Sequence, residues 1–257
     1  MPADGNDARV ETMSTARRIP VPGTFNFRDV GGYPAEGGTI RPGKLFRSDG
    51  IHALGDAGRQ ELRELGVGEI IDLRDDFEVE AMPDDLTGLD VKVLRLPVFE
   101  GSGASQDTVG ISLEALYERI LTLHADVLVS ALREIAHSDD SAVLVHCTAG
   151  KDRTGIVVAL ALLAVGVDRQ TVVADYAESE SNLSGAWLDA MLALVESHDV
   201  EITPSLRILL GGSPPEALSG AIDRIEKDHG SVRQYLLDAG LSELDLAALR
   251  SVLVEPS

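Results

Sequence analysis

Residues 142–155 read AVLVHCTAGKDRTG. The first four are apolar, and a continuous apolar run of this length suits a central strand of a parallel sheet that is covered on both faces. Residues 155–165 are almost entirely apolar and predict a buried helix. The polar loop between them leads from a strand into a helix, where unpaired backbone N–H groups and the helix dipole attract anions. The stretch therefore predicts an anion-binding loop at the edge of a parallel sheet.

Outside this stretch, short strands are predicted in the first part of the chain and helices dominate the end. The other predicted strands lie within residues 25–32, 39–49, 69–74 and 91–96. Apolar residues at helical spacing predict one long amphipathic helix over 113–137. We expect an α/β fold with a mainly parallel central sheet, flanking helices and additional C-terminal helices. Residues 1–18 are predicted to be a disordered leader, and residues 19–257 a single domain.

The composition excludes several classes of partner. The 257 residues include 22 Lys and Arg against 43 Asp and Glu, which gives a formal net charge of −21. A chain this acidic repels nucleic acids and anionic membranes at long range. Aromatic residues make up only 4%, so stacking platforms for single-stranded nucleic acid are not expected. An anionic substrate must therefore be captured by a local positive site.

The hydropathy pattern predicts no integral membrane association. No stretch reaches roughly 18 uncharged apolar residues, the length that a membrane span needs. Residues 1–15 are polar and lack the apolar core of a signal peptide. We therefore expect a cytoplasmic location, with export independent of a signal peptide left open.

Cys147 is the single cysteine of the chain, so it forms no internal disulfide and a cysteine-rich zinc site is excluded. The six histidines show no metal-binding spacing, and neither a metal nor an organic cofactor is expected. A lone cysteine is ordinarily a buried apolar residue. With His146, Gly150, Arg153 and Thr154 at these spacings, however, a nucleophile is favoured.

The loop also contains Gly150-Lys151, a pair found in nucleotide phosphate loops. That motif requires glycine five residues before Gly150 and a hydroxyl residue after the lysine. The chain has Val145 and Asp152 at those positions. A nucleotide-binding loop is therefore excluded.

Cys147 opens the loop and Arg153 closes it, with five residues between them. A loop of this length can curl round one phosphate, with the thiol beneath the phosphorus and the guanidinium on two oxygens. The loop N–H groups, the helix end and Arg153 favour the thiolate, which is the attacking form. A cysteinyl-phosphate intermediate is expected, and Thr154 is placed to donate its hydroxyl to the sulfur when water cleaves it. The predicted phosphate-binding residues are Thr148, Ala149, Gly150, Lys151, Asp152 and Arg153.

The leaving oxygen needs a proton, so a carboxylic acid is required. Asp152, inside the loop, is the first candidate. Asp72, at the end of a predicted strand on the same edge of the sheet, is the second. Asp72 could instead pair with an arginine such as Arg74 or Arg28. Lys151 adds a positive charge for the phosphate or for a second anionic group on the substrate.

The loop resembles the signature of protein tyrosine phosphatases, in which His-Cys is followed after five residues by Arg and then Ser or Thr. Its GKDRT version is similar to that of an atypical bacterial branch of the family. Further segments resemble motifs of that branch and occur in the same order. They are FNFRDVGG (25–32), LFRS (45–48), DLR (72–74) and VADY (173–176). The resemblance spans about residues 20–253.

This resemblance implies a cysteine-phosphatase fold, with a central sheet surrounded by helices and a helical lid over the active site. It implies activity on phosphotyrosine, often also on phosphoserine, phosphothreonine and phosphoinositides. In this branch the loop aspartate, here Asp152, is the suspected general acid in place of an acid on a separate loop.

Residues around the loop are expected to support it. His146 is predicted to hydrogen-bond to the backbone and fix the loop and the thiolate, while Arg28 and Asp29 brace the site. Residues 97–111 are rich in Gly, Ser and Asp and are expected to form a mobile loop or the start of a lid.

The expected partner is a phosphorylated protein or a phosphoinositide, and the expected product is inorganic phosphate. Two other classes remain open. A catalytically weak module would capture phosphorylated ligands, although the intact set of Cys147, Asp152, Arg153 and Thr154 argues against it. A sulfurtransferase or an arsenate reductase would also use a cysteine, but an arsenate reductase usually needs further cysteines.

Overall fold

The computed structural model describes residues 18–99, 111–138 and 140–257. The predicted leader, 1–18, lies outside the described residues except for Arg18. The predicted mobile loop, 97–111, also lies outside them except at its two ends.

Among the described residues, the central sheet has five strands. They are β1 (Arg28–Asp29), β4 (Leu45–Ser48), β5 (Val67–Asp72), β6 (Lys92–Arg95) and β7 (Ala142–His146). Their order in the sheet is β1-β4-β7-β5-β6. Four of them are parallel, and β1 pairs antiparallel with β4 at one edge, so the mainly parallel sheet is confirmed.

A second, antiparallel sheet was not expected from the sequence. Its order is β2-β3-β8, with β2 at Pro34–Ala35, β3 at Gly38–Ile40 and β8 at Val254–Pro256. Strands of two or three residues are too short to show an alternating pattern. The pairing of β3 with β8 joins distant parts of the chain, so no local signal predicts it.

The residues that the structure describes form eleven helices. They are α1 (Gly55–Glu64), α2 (Asp76–Ala81), α3 (Leu113–Leu123), α4 (Ala125–Ala136), α5 (Asp152–Ala164), α6 (Arg169–Leu183), α7 (Ala186–Glu196), α8 (Pro204–Gly211), α9 (Pro215–His229), α10 (Val232–Asp238) and α11 (Glu243–Leu253). The single helix predicted over 113–137 is wrong, because the chain leaves helical geometry at His124 (φ −123°, ψ 23°) and forms α3 and α4. Apolar residues keep their spacing across this break, and periodicity alone does not reveal it.

The core lies on both faces of the central sheet. Every residue of β7 is buried. Val143 and Val145 pack into the larger apolar cluster, whereas Leu144 packs into the smaller one, as alternation along a strand requires. Helix α5 is apolar on nearly all sides and belongs to the larger cluster. The strand and the helix that flank the loop are thus rigid supports. Within the described residues, no helix is both long and apolar enough to cross a membrane.

Candidate active site

The loop runs from the end of β7 to the start of α5, at the edge of the sheet where the parallel strands end. Cys147 begins the loop and is only 2% exposed. Gly150 has φ 63°, and a Cβ atom at this position would lie 2.2 Å from the carbonyl oxygen of Ser48. Only glycine fits because both the conformation and the close approach to β4 exclude a side chain. The sharp turn of the loop therefore depends on this residue.

Two side chains hold the loop carbonyl groups from behind. Asn26 Nδ2 donates to Ala149 O (3.0 Å) and Gly150 O (3.2 Å), and an Arg47 Nη atom donates to Gly150 O (2.8 Å). In a trans peptide unit, the C=O group and the N–H group of the next residue lie in one plane and point in opposite directions. The following N–H groups, of Gly150 and Lys151, are therefore turned to the other side of the loop, away from Asn26 and Arg47.

A buried network supports these two residues. Arg28 donates to Asn26 Oδ1, to Asp175 O (3.0 Å) and to Ser179 Oγ (3.1 Å), and Arg47 pairs with the Asp175 carboxylate. Burial and the neighbouring charge of Arg47 lower the pKa of Arg28 to about 10. Burial raises the pKa of Asp175, but the charges of Arg47 and Arg28 outweigh it and hold this pKa below its ordinary value. Arg28 thus braces the loop through Asn26.

Asp29, which was expected to brace the site, holds two turns at the edge of the central sheet. Its carboxylate accepts hydrogen bonds from Gly31 N (2.7 Å) and Gly43 N (2.8 Å). These contacts fix the turn after β1 against the turn before β4. Asp29 therefore stabilises a neighbouring turn and makes no described contact with the phosphate loop.

A cavity of about 310 Å³ opens over the loop. Its polar base contains Cys147, Thr148, Asp152 and Arg153. Its walls are mainly apolar or aromatic, and they include Phe77, Phe99, Leu116, Ala149, Trp187, Met191, Leu209 and Leu210. A second cavity of about 350 Å³, lined mainly by residues of α3, α9 and α10, contains neither the cysteine nor the loop. The chemistry of the lining, rather than size, identifies the first cavity as the site.

Arg153 is held by Glu78, a residue that the sequence did not single out. Its Nη1 and Nη2 atoms lie 2.6 and 2.7 Å from the two Glu78 carboxylate oxygens. Burial lowers the pKa of Arg153, yet the charge of Cys147 and the contacts with Glu78 raise it above its ordinary value. Arg153 also lies 5.9 Å from the centre of the Phe99 ring. The guanidinium is thus oriented at the base of the cavity before a ligand binds.

Glu78 also fixes the loop and its own helix. It accepts a hydrogen bond from Thr148 Oγ1, and it forms a capping box with Asp75 at the start of α2. Burial raises the pKa of Glu78, but Arg153 and Thr148 outweigh it and lower this pKa to about 2. The Asp75–Glu78 spacing is a known helix-start signal, so the sequence could have located α2. It gave no signal for the contact with Arg153.

Asp152, the predicted general acid, lines the cavity. Its Oδ1 atom accepts a hydrogen bond from the Tyr117 hydroxyl (2.7 Å) and lies 3.1 Å from Lys151 Nζ. The Tyr176 hydroxyl lies 2.6 Å from the Tyr117 hydroxyl. Both tyrosines were missed as site residues, although Tyr176 belongs to the segment 173–176 that supported the family resemblance.

The ammonium group of Lys151 was expected to add positive charge at the phosphate site, but Lys151 does not line the cavity. Its side chain is fully buried, and Nζ donates to Leu209 O (3.0 Å) and Gly212 O (2.7 Å) at the end of α8. Carbonyl groups at a helix C-terminus lack partners within the helix and attract a cation. Lys151 therefore ties the loop to α8.

Two short helices form one side of the cavity. Trp187 and Met191 on α7 and Leu209 and Leu210 on α8 contribute side chains to its wall. The sequence did not single out these four wall residues. Of residues 97–111, predicted to form a mobile loop or the start of a lid, the described part contributes Phe99 to the wall.

Asp72, the second candidate for the general acid, lies outside the cavity. It is 1% exposed, does not line the cavity, and both of its carboxylate oxygens accept hydrogen bonds from Arg74 at 2.9 Å. The pairing with Arg74 that the sequence left open is the one observed. Arg74 also binds Asp84, so one guanidinium occupies the cluster in which Asp72, Asp84 and His146 could otherwise hold a metal.

His146 precedes the predicted nucleophile in the sequence. Its Nδ1 atom is 3.4 Å from Cys147 O, which agrees with the predicted backbone contact, and its Nε2 atom is 3.4 Å from Asp84 Oδ2.

Thr154 follows the predicted nucleophile at the other end of the loop. Its Oγ1 atom is buried and has no hydrogen-bond partner among the described residues. The predicted hydrogen bond from Thr154 to the Cys147 sulfur is therefore not formed in this structure.

A cysteine at the start of an anion-binding loop, with an arginine at the following helix and an aspartate beside it, defines a cysteine-based phosphatase. Residues 19–255 match the family described as "Tyrosine phosphatase family". The chain belongs to this family and is a protein tyrosine phosphatase, so the resemblance and the α/β fold class are confirmed.

The similar proteins include the triple specificity protein phosphatase PtpB of Mycobacterium tuberculosis. It is 32% identical over 280 residues, covering 91% of this chain and 98% of that protein. A tyrosine-protein phosphatase of Nostoc commune is 31% identical over 226 residues, covering 84% of this chain and 76% of that protein. The crystal structure of P. aeruginosa TpbA is 20% identical and covers 60% of this chain and 87% of that one, with a TM-score of 0.35.

Proposed function

We propose that this phosphatase hydrolyses phosphate monoesters through a cysteinyl-phosphate intermediate on Cys147, with phosphotyrosine as its main substrate. Phosphoserine, phosphothreonine and phosphoinositides are the further substrates that we propose. The observation that carries the proposal is that Cys147, Arg153 and Asp152 line the base of one cavity. The proposed reaction needs no metal or organic cofactor.

Arg153 and the loop N–H groups are the proposed binding site for the transferring phosphoryl group. Glu78 engages the two Nη atoms of Arg153, which leaves the Nε edge of the guanidinium for phosphate oxygens. The N–H groups of Gly150 and Lys151 supply further donors, because their peptide planes are held by Asn26 and Arg47. Donors that are fixed before the reaction stabilise the charge that develops in the transition state.

Asp152 is the proposed general acid. Its side chain is 17% exposed and lines the same cavity as Cys147, whereas Asp72 is buried against Arg74. A general acid must lie within hydrogen-bond reach of the leaving oxygen; of the two predicted candidates, Asp152 lines the cavity and Asp72 does not. This difference in position supports Asp152 over Asp72.

The walls of the cavity support an aromatic leaving group. Phe77, Phe99, Trp187 and Met191 surround the base, and an aryl ring buried there removes apolar surface from water. PtpB of M. tuberculosis is named for triple specificity, which supports a wider range of substrates for this chain. We also propose that residues 19–257 form one domain and that the protein acts in the cytoplasm.

The test is phosphate release, without added metal, from a phosphotyrosine peptide, a phosphoserine peptide and a monophosphorylated phosphoinositide. Cys147→Ser is the control, because it keeps the shape of the loop but lacks the thiolate. We expect the fastest release from the phosphotyrosine peptide and none from the variant. Release that persists in Cys147→Ser would contradict the cysteine mechanism. Binding of the peptides by folded wild-type protein without any release would favour a phospho-ligand binding module, and a persulfide on Cys147 would favour a sulfurtransferase.

A further inference from the structure

Three helices converge on the Asp152 carboxylate. Asp152 is the first residue of α5, Tyr117 lies on α3 and Tyr176 lies on α6. Tyr117 and Tyr176 are 0% and 1% exposed, and their rings meet edge to face with centroids 6.2 Å apart. Their hydroxyls form a chain that ends on Asp152, with O···O distances of 2.6 and 2.7 Å. A buried chain of this kind has a fixed geometry.

The hydroxyl chain has a direction. Each tyrosine carries one hydroxyl proton and can also accept a hydrogen bond. The Tyr117 proton is donated to Asp152 Oδ1, so Tyr176 must donate its own proton to the Tyr117 oxygen. Burial, followed by the charge of Asp152, raises the pKa of both tyrosines above the ordinary value, which keeps them neutral. The hydrogen bond from Tyr176 thereby keeps the Tyr117 hydroxyl proton directed at Asp152.

The two oxygens of Asp152 have different surroundings. Oδ1 is contacted by the Tyr117 hydroxyl and by Lys151 Nζ, whereas no hydrogen bond within residues 18–99, 111–138 and 140–257 engages Oδ2. An oxygen whose lone pairs already accept two donors is a poor site for a proton. When Asp152 is protonated, the proton therefore resides on Oδ2, and Oδ1 remains an acceptor for Tyr117 in both protonation states.

We propose that Tyr117 is a positioning residue for the general acid and that Tyr176 orients the Tyr117 hydroxyl. The proposal rests on the proposed function, in which Asp152 acts in both halves of the reaction. Tyr117 holds Oδ1 and so directs the transferable proton to Oδ2. Since a neutral hydroxyl serves an acid and a carboxylate alike, the same contact is kept throughout the reaction.

The hydrogen bond between Tyr117 and Asp152 must serve both chemical steps of the proposed hydrolysis. In the first step the Cys147 thiolate forms the S–P bond, the P–O bond to the leaving group breaks, and Asp152 gives its proton to the leaving oxygen. In the second step water forms a new P–O bond, Asp152 takes a proton from that water, and the S–P bond breaks to return the thiolate. The products are an alcohol or phenol and inorganic phosphate.

The test compares aryl phosphates whose leaving phenolates range from weakly to strongly basic. A weakly basic phenolate, such as dinitrophenolate, leaves without a proton, whereas unsubstituted phenolate must be protonated as it leaves. Since general acid catalysis contributes about 10²–10⁴-fold, Tyr117→Phe should lower kcat/KM for phenyl phosphate by roughly 10- to 100-fold and for dinitrophenyl phosphate by less than about threefold. Asp152→Asn provides the reference pattern, and Tyr176→Phe should show a weaker version of it.

Tyr235→Phe is the matched control. The Tyr235 side chain is also buried, but its hydroxyl donates to Leu121 O (2.8 Å), away from the Asp152 carboxylate. We expect its kcat/KM values to follow those of the wild type for every leaving group. Thermal unfolding of each variant checks that it is folded, and if Tyr117→Phe does not fold, Tyr176→Phe decides the question.

Two results would overturn the inference. One is a loss in folded Tyr117→Phe that is equal for all leaving groups, which indicates a merely structural role. The other is no loss in either Tyr117→Phe or Tyr176→Phe while Asp152→Asn is impaired. Failure of the proposed function looks different, because the wild type itself would then release no phosphate from any aryl ester.

Discussion

Glu78 and Arg153 form a two-point ion pair at the base of the active site, with N···O distances of 2.6 and 2.7 Å. The two side chains come from α2 and α5 and are only 22% and 12% exposed. A planar guanidinium that is held at both Nη atoms cannot rotate, so its remaining edge keeps one orientation towards a bound phosphate. The ion pair is therefore expected to affect both catalysis and stability.

Glu78→Gln should impair catalysis without removing the arginine. The amide has one acceptor oxygen instead of two, so the guanidinium loses its fixed plane. A small displacement of a catalytic group costs about 100-fold, and we expect a fall in kcat/KM of roughly this size for a phosphotyrosine peptide. Glu80→Gln, on the exposed side of the same helix, is the control and should match the wild type. Wild-type rates in Glu78→Gln would show that Arg153 needs no such partner.

The same pair makes stability depend on pH in a defined window. The pKa of Glu78 is lowered from 4.5 to about 2 in the folded protein. Because the folded-state pKa is below the unfolded one, the stabilisation is fully present above 4.5 and is lost as the pH falls towards 2. It amounts to at most about 3 kcal/mol. Urea unfolding should show a gap between wild type and Glu78→Gln that closes over this range, and a constant gap would contradict the prediction.

Thr154→Val should raise stability and lower turnover. The Thr154 hydroxyl is buried without a hydrogen-bond partner among the described residues, and such a group costs about 1–3 kcal/mol. Valine has the same shape and lacks this cost, so the unfolding free energy should rise by about 1 kcal/mol. If the hydroxyl assists the sulfur when water cleaves the intermediate, kcat should fall while Thr154→Ser keeps it. Equal kcat values in the valine and serine variants would exclude that role.

Lys151→Met should loosen α8 from the phosphate loop. The variant removes the ammonium group that binds Leu209 O and Gly212 O, and so leaves these carbonyl groups without their buried donor. We expect faster hydrogen exchange in α8, with the exchange of α5 unchanged. Lys44→Met is the matched control, because Lys44 is also buried and donates to Ser141 O (2.6 Å) elsewhere. Faster exchange of α8 in both variants, or in neither, would refute the specific link.

The sequence itself determined the parts of the site that are contiguous in the chain. The buried strand, the loop and the helix follow one another within residues 142–164, and their apolar pattern is sufficient to predict them. The loop spacing fixed the places of Cys147 and Arg153, because a strand-to-helix turn of this length brings its two ends to one anion. Gly150 was predictable for the same reason, since the turn requires a residue without a side chain.

The tertiary structure alone decided which partners surround this loop. Glu78, Asn26 and Tyr117 reach it from other elements, and contacts between residues far apart in the chain leave no periodic or local signal. Lys151 and Asp72 carry the expected charges near the expected place. Their side chains turn instead to the end of α8 and to Arg74, because buried charged groups are stable only where oppositely charged or polar partners satisfy them.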